Sequence, residues 1–176
     1  MVVASPQNKG ITMIISREDV HKHSEACIEM GEAFQSVAQR LNKEQRRLLS
    51  HLEKEFASFD PTSGHIAVYM ATVSARVFEQ MGTRLKKVTS EDIETAEKLV
   101  KSQLAQLLPV DDEFPNRAKT LQRSQPHLMD EILWALYDRG PTEENSEPPV
   151  LDPKRTAKLY LLLWVAVEAL HSKWIP

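Results

Sequence analysis

The chain has little glycine, 5 in 176 residues. That supply disfavours an all-β design with many tight turns. No GxGxxG, GxxxxGKS or GxxxxGKT loop occurs, which argues against a Rossmann-like or P-loop nucleotide fold. Three of the glycines, Gly64, Gly82 and Gly140, fall where helical patterns break. Cysteine is scarcer still. Cys27 stands alone, which rules out a disulfide within the chain and suits a reducing compartment. Long apolar runs are missing too: the longest, Leu159 to Val167, is about half of the roughly 18–20 residues that a membrane-spanning helix needs. Charge of one sign is also lacking, since a net charge of −3 gives no global field for nucleic acid or an anionic membrane. The apolar pieces Val2–Ala4 and Ile11–Ile15 are divided by Pro6, Asn8, Lys9 and Gly10, too broken for a signal-peptide core. Together these absences point to a cytoplasmic, soluble protein with no membrane partner.

What is present is helical periodicity. Hydrophobic content of 41% and charged content of 27% suit one globular domain with a real core. Residues 1–15 read as a flexible N-terminal segment and 16–176 as a single helical domain. A first helix is predicted over 17–41, with Ser16 as N-cap and Glu18 and Asp19 in its first turn. Its seam alternates large and small residues: Val20, Cys27, Phe34 and Leu41 with Ser24, Gly31 and Ala38 between. Close approach of a neighbouring helix is the expected reason for Gly31. Asn42 with Gln45 suggests the cap of a second helix burying Leu48, Leu49, Leu52, Phe56 and Phe59, stopped at Asp60-Pro61. A third, over 65–81, has the stripe Ile66, Met70, Val73, Val77 and Met81. Thr89, Asp92 and the Val88/Ile93 pair mark the start of a fourth, whose stripe continues through Ala96, Val100, Leu104 and Leu107. A short helix opens at Pro115 and another spans 126–139.

The segment 140–152 is rich in Pro and Glu and reads as a long crossover, its alternative being a mobile linker. After Asp152-Pro153 comes a helix that is apolar nearly all round. Leu159, Leu163, Val167, Leu170 and Trp174 share one side, and Leu161 and Val165 lie opposite. Such a helix must be covered on most sides, by its own bundle or by a second subunit. The expected fold is therefore all-α: an irregular bundle of five to six helices whose C-terminal helix is central or at a dimer seam.

Candidate functional residues fall into three groups. Trp134, Tyr137, Tyr160 and Trp164 cluster on the last two helices. With Leu161 and Val165 they suggest a partner or homodimer interface, because Trp and Tyr favour interface centres. The pairs Glu18–His21 and Glu168–His171 each have the i, i+3 spacing that two facing helices use in di-metal carboxylate sites. No Glu falls on the stripes of the second to fourth helices to complete such a site. Glu168 is expected to mark the strip of its helix that meets water, the alternative being a buried acid with a fixed partner. Arg84, Lys86 and Lys87 could hold phosphate, but acidic residues follow and no aromatics interleave, so nucleic-acid binding is disfavoured. Cys27 reads as a small buried hydrophobe. No catalytic set is visible and no cofactor is expected. A non-enzymatic interaction or regulatory module, homodimeric, is the expected function, with a ligand- or metal-binding bundle as alternative and nucleic-acid binding third.

Overall fold

The computed structural model describes residues 13–57, 61–138 and 152–176. Eight α-helices follow one another among them: α1 (Arg17–Glu29), α2 (Phe34–Glu44), α3 (Arg46–Phe56), α4 (Pro61–Met81), α5 (Ser90–Leu107), α6 (Phe114–Thr120), α7 (Pro126–Leu133) and α8 (Pro153–Lys173). A 3-10 turn, Gly31–Ala33, joins α1 to α2, and a π turn, Trp134–Asp138, extends α7. Two short strands, β1 (Arg84–Leu85) and β2 (Trp174–Ile175), pair antiparallel with Arg84 opposite Ile175. The fold is an all-α bundle, as the periodicity predicts.

Its centre is α8. Leu159, Tyr160, Leu163, Trp164 and every residue from Val165 to Leu170 are buried, and Leu161 and Leu162 are half-buried. The helix packs between α4 and α5, with α7 also against it. The partner that an all-round apolar helix requires is thus supplied largely by the chain's own helices. Close packing against α4 comes from small residues: Ala67, Ala71, Ser74 and Ala75 are buried along α4, together with Val77 and Phe78. The predicted stripe of Ile66, Met70, Val73 and Met81 is only half-buried. Small side chains let two helix axes approach, so the row nearest the partner is not the most hydrophobic one.

The first predicted helix is two helices. Gly31 adopts φ +54°, a left-handed conformation open to glycine, and a Cβ there would touch nothing. Gly31 therefore serves to end α1 rather than to admit a neighbour. The seam survives the break, since Val20, Ser24, Cys27, Phe34 and Leu41 are all buried. The next boundary also moves. Helix α2 runs past Asn42 to Glu44, and Gln45, not Asn42, sits at the junction with α3. Helix α4 begins at Pro61, four residues ahead of expectation, because proline is favoured in the first helical turn. Trp174 leaves the helix and enters β2.

Four expected starts hold. Ser16 accepts from the Asp19 amide, and Asp152 accepts from the Lys154 amide. Thr89 and Asp92 form a reciprocal capping box, with Val88 and Ile93 both buried beside it, and Pro126 opens α7. Residues 1–12 and most of the 140–152 connection lie outside the described residues, so the crossover and linker readings do too. Met13–Ile15, expected within a flexible segment, are instead held: Ile15 is buried, and its amide donates to Gln125 Oε1 at 2.9 Å.

Candidate functional site

An open groove of about 610 Å³ lies between α2, α3 and α4. Phe34, Ala38, Phe56, Val68 and Tyr69 line it with apolar surface, and Gly64 lets the first turn of α4 come close to Phe56. Phe34 and Tyr69 meet edge-to-face, their ring centres 5.9 Å apart. Phe34 is buried, whereas Tyr69 stands 43% exposed at the lip. Polar side chains line the groove as well, among them Asn42 and Thr72. The Thr72 hydroxyl lies 2.7 Å from the Val68 carbonyl and 3.2 Å from Asn42 Oδ1. Its one proton is taken up by those acceptors, so the group is not poised beside a base as a nucleophile. Glu53 and His65, both exposed, add a carboxylate and an imidazole to its margin.

The aromatic set expected at an interface is divided by the structure. Tyr160, Trp164 and Val165 are interior to the fold and cannot be touched by a partner without unfolding. Leu161 and Tyr137 are half-buried, and Trp134 alone is exposed. The reason is the coverage of α8 by α4, α5 and α7, which turns most of a candidate contact surface into core. Tyr160 and Trp164 pack with ring centres 6.1 Å apart, and Phe114 meets Tyr160 edge-to-face. Burial pushes the Tyr160 and Tyr137 phenols up to about 12.

Glu168 is buried, at 9% exposure, and does not mark a wet strip. Its Oε1 accepts from the Trp164 indole N–H at 3.1 Å and from the Ser124 amide at 3.0 Å. Its Oε2 accepts from the Ser124 hydroxyl at 2.5 Å. Trp164 precedes Glu168 by one helical turn, while Ser124 comes from the α6–α7 connection. Three donors satisfy the carboxylate that the sequence suggests is solvated. Nearby, the buried Arg123 donates to Asp130 at 2.8 Å.

The proposed four-residue metal set does not assemble. Glu18 is exposed, Glu168 is committed to Ser124 and Trp164, and His171 contacts Gln125. His21 meets Glu131 of α7 instead. Arg84, Lys86 and Lys87 are all exposed along the β1 connection. Its backbone is fastened by the Lys86 amide donating to the Lys173 carbonyl at 2.9 Å. Cys27 is buried, and burial raises its thiol pKa against the opposing influence of Arg76. A raised pKa keeps the thiol protonated and unreactive.

Several residues that organise the structure leave no periodic trace. Gln45 donates through Nε2 to the Lys86 carbonyl and accepts through Oε1 from the Val88 amide, both at 3.0 Å. Gln125 treats Met13 and Ile15 the same way, at 2.8 and 2.9 Å. Each carboxamide pairs with residues i and i+2 of an extended segment, as a neighbouring strand's backbone would. The position of Gln45 three residues after Asn42 points to it only as a cap partner. Nothing in the pattern singles out Gln125, Arg123 or Glu131.

No family model matches the chain, and neither does any curated protein or solved structure. Among the described residues, no helix is long and apolar enough to cross a membrane.

Proposed function

We propose that this protein is a non-enzymatic helical interaction module of the cytoplasm that works as a homodimer through the α2–α4 groove. The observation carrying the reading is that groove: an apolar lining, an aromatic lip at Tyr69 and a polar margin. Buried aromatic anchors surrounded by a polar rim are the pattern of protein–protein contacts. A second copy suits it because a twofold contact must be self-complementary. Glu53 and His65 give each copy one acid and one base to offer the other, and Tyr69 gives each an aromatic to insert. The free Cys27 thiol agrees with a reducing compartment.

Sizing chromatography with light scattering, over a roughly hundredfold range of concentration, tests this. A dimer that dissociates on dilution is expected, with Tyr69→Asp monomeric throughout and its helical content unchanged. A wild-type protein that stays monomeric at every concentration would remove the reading.

The groove volume also falls within the roughly 300–1,000 Å³ of small-molecule sites. A monomer that binds a hydrophobic dye, and loses it in Ala38→Phe, would favour a small apolar ligand instead.

A further inference from the structure

On another face, α1 and α7 bring three metal-capable side chains together. We propose that His21, Glu25 and Glu131 form an open site for one divalent transition metal ion of the zinc class. His21 and Glu25 are four residues apart on α1 and so lie one turn apart on the same face. Glu131 reaches them from α7. His21 Nδ1 stands 3.2 Å from Glu131 Oε1. That separation matches the edge, about 3.3 Å, of a tetrahedron with metal–ligand bonds of roughly 2.0–2.1 Å. One donor atom from each residue lies within 4.8 Å of the other two. Bringing the third ligand to the same spacing asks for a shift of at most roughly 1.5 Å, within the reach of a long side chain changing rotamer.

The donor types narrow the ion. One imidazole with two carboxylates favours zinc and its first-row neighbours, because magnesium and calcium take oxygen ligands. With the imidazole neutral the set carries two negative charges facing a dication. Three protein ligands leave a fourth position for water, the pattern of an exchangeable site rather than a closed structural one. Helices α1 and α7 also meet at residues other than these three. Arg17 of α1 pairs with Asp130 at 3.6 Å, and Asp130 is itself gripped by the buried Arg123. The three side chains therefore start near one another, and binding need not draw the two helices together first.

The test uses the full chain stripped with chelator, titrated with Zn²⁺ by calorimetry and with Co²⁺ by visible absorption. One equivalent of each metal is expected to bind, Co²⁺ giving the intense bands of a low-coordinate site. Zn²⁺ should raise Tm while Mg²⁺ and Ca²⁺ leave it unchanged. His21→Ala and Glu131→Gln should each weaken Zn²⁺ binding by about tenfold or more. His23→Ala should not, and Glu131→His, which keeps a donor, should retain binding even if the α1–α7 contact loosens. No Zn²⁺ binding by the stripped protein, or wild-type affinity in both His21→Ala and Glu131→Gln, would overturn the proposal.

Discussion

Gln125 Nε2 lies 3.2 Å from His171 Nδ1, and the neighbours of the carboxamide dictate which of the two donates. The oxygen of Gln125 accepts from the Ile15 amide, and its nitrogen donates to the Met13 carbonyl. The nitrogen must therefore face His171, so Nδ1 accepts and the imidazole is neutral with its proton on Nε2. Protonation would set two donors against each other at the point where Met13–Ile15 are fastened.

A pH dependence follows from that contact. Burial, here beside Phe78 and Trp174, lowers the His171 pKa below its ordinary 6.5, and Glu168 one turn earlier only partly opposes this. Below 6.5 the unfolded chain holds more protons at this site than the folded one. Stability therefore falls as pH drops from 6.5 through the folded pKa and levels off beneath it. Urea unfolding at several pH values should show this acid limb. In His171→Asn the amide oxygen can accept from Gln125 without titrating, so the limb should be shallower below pH 6.5. Equal slopes in the two proteins would rule His171 out as the source.

Glu168 should behave as an acceptor, with its charge secondary. Glu168→Ala strands the Trp164 indole N–H and the Ser124 amide, and should cost about 3 kcal/mol in chemical denaturation. Glu168→Gln keeps an oxygen for both donors, and its NH2 can donate to the Ser124 hydroxyl, so a loss of about 1 kcal/mol is expected. Equal, small losses in both variants would mean that the carboxylate is hydrated after all.

Two glycines should respond differently to a methyl group. At Gly82 an added Cβ would lie 2.6 Å from the Ile175 carbonyl and also strike the Trp174 indole. Gly82→Ala should therefore lose about 2 kcal/mol or more, because β2 must shift. At Gly31 there is open space and only the left-handed backbone objects, so Gly31→Ala should lose about 1 kcal/mol and Gly31→Asn less. Thermal unfolding of the three variants gives the order directly, and a milder Gly82→Ala would contradict the packing described.

Much of the fold is legible in the residues, the site much less so. Helix existence follows from apolar spacing, and caps such as Thr89/Asp92 act within three residues, so a linear reading reaches them. The coverage of α8 was also readable, since a helix without a polar face has to be buried somewhere. Gly31 shows where such reading stops: a seam that continues across a break looks like one helix. Ile66 and Met70 of α4 show a second limit, because the row nearest α8 is chosen by size, and hydrophobicity does not report it. The strip that Glu168 shares with Lys154, Lys158 and Ser172 suggests a solvated carboxylate, whereas Ser124, 44 residues earlier, decides its environment. Sites of that kind come from side chains far apart in sequence, and the groove is likewise assembled from three helices.

The two carboxamides have a consequence for how the molecule comes apart. Gln125 ties Ile15 across a sequence separation of 110, and Gln45 ties Val88 across 43. Neither knot can form until the helices flanking both partners have docked, so they close late in assembly. Once closed, they oppose piecemeal loosening of the extended segments, since releasing Met13–Ile15 exposes a buried amide and releasing Lys86–Val88 disturbs the strand next to Trp174. Local opening there takes on much of the cost of global unfolding, and amide hydrogens in these short stretches should exchange almost as slowly as those in the middle of α8.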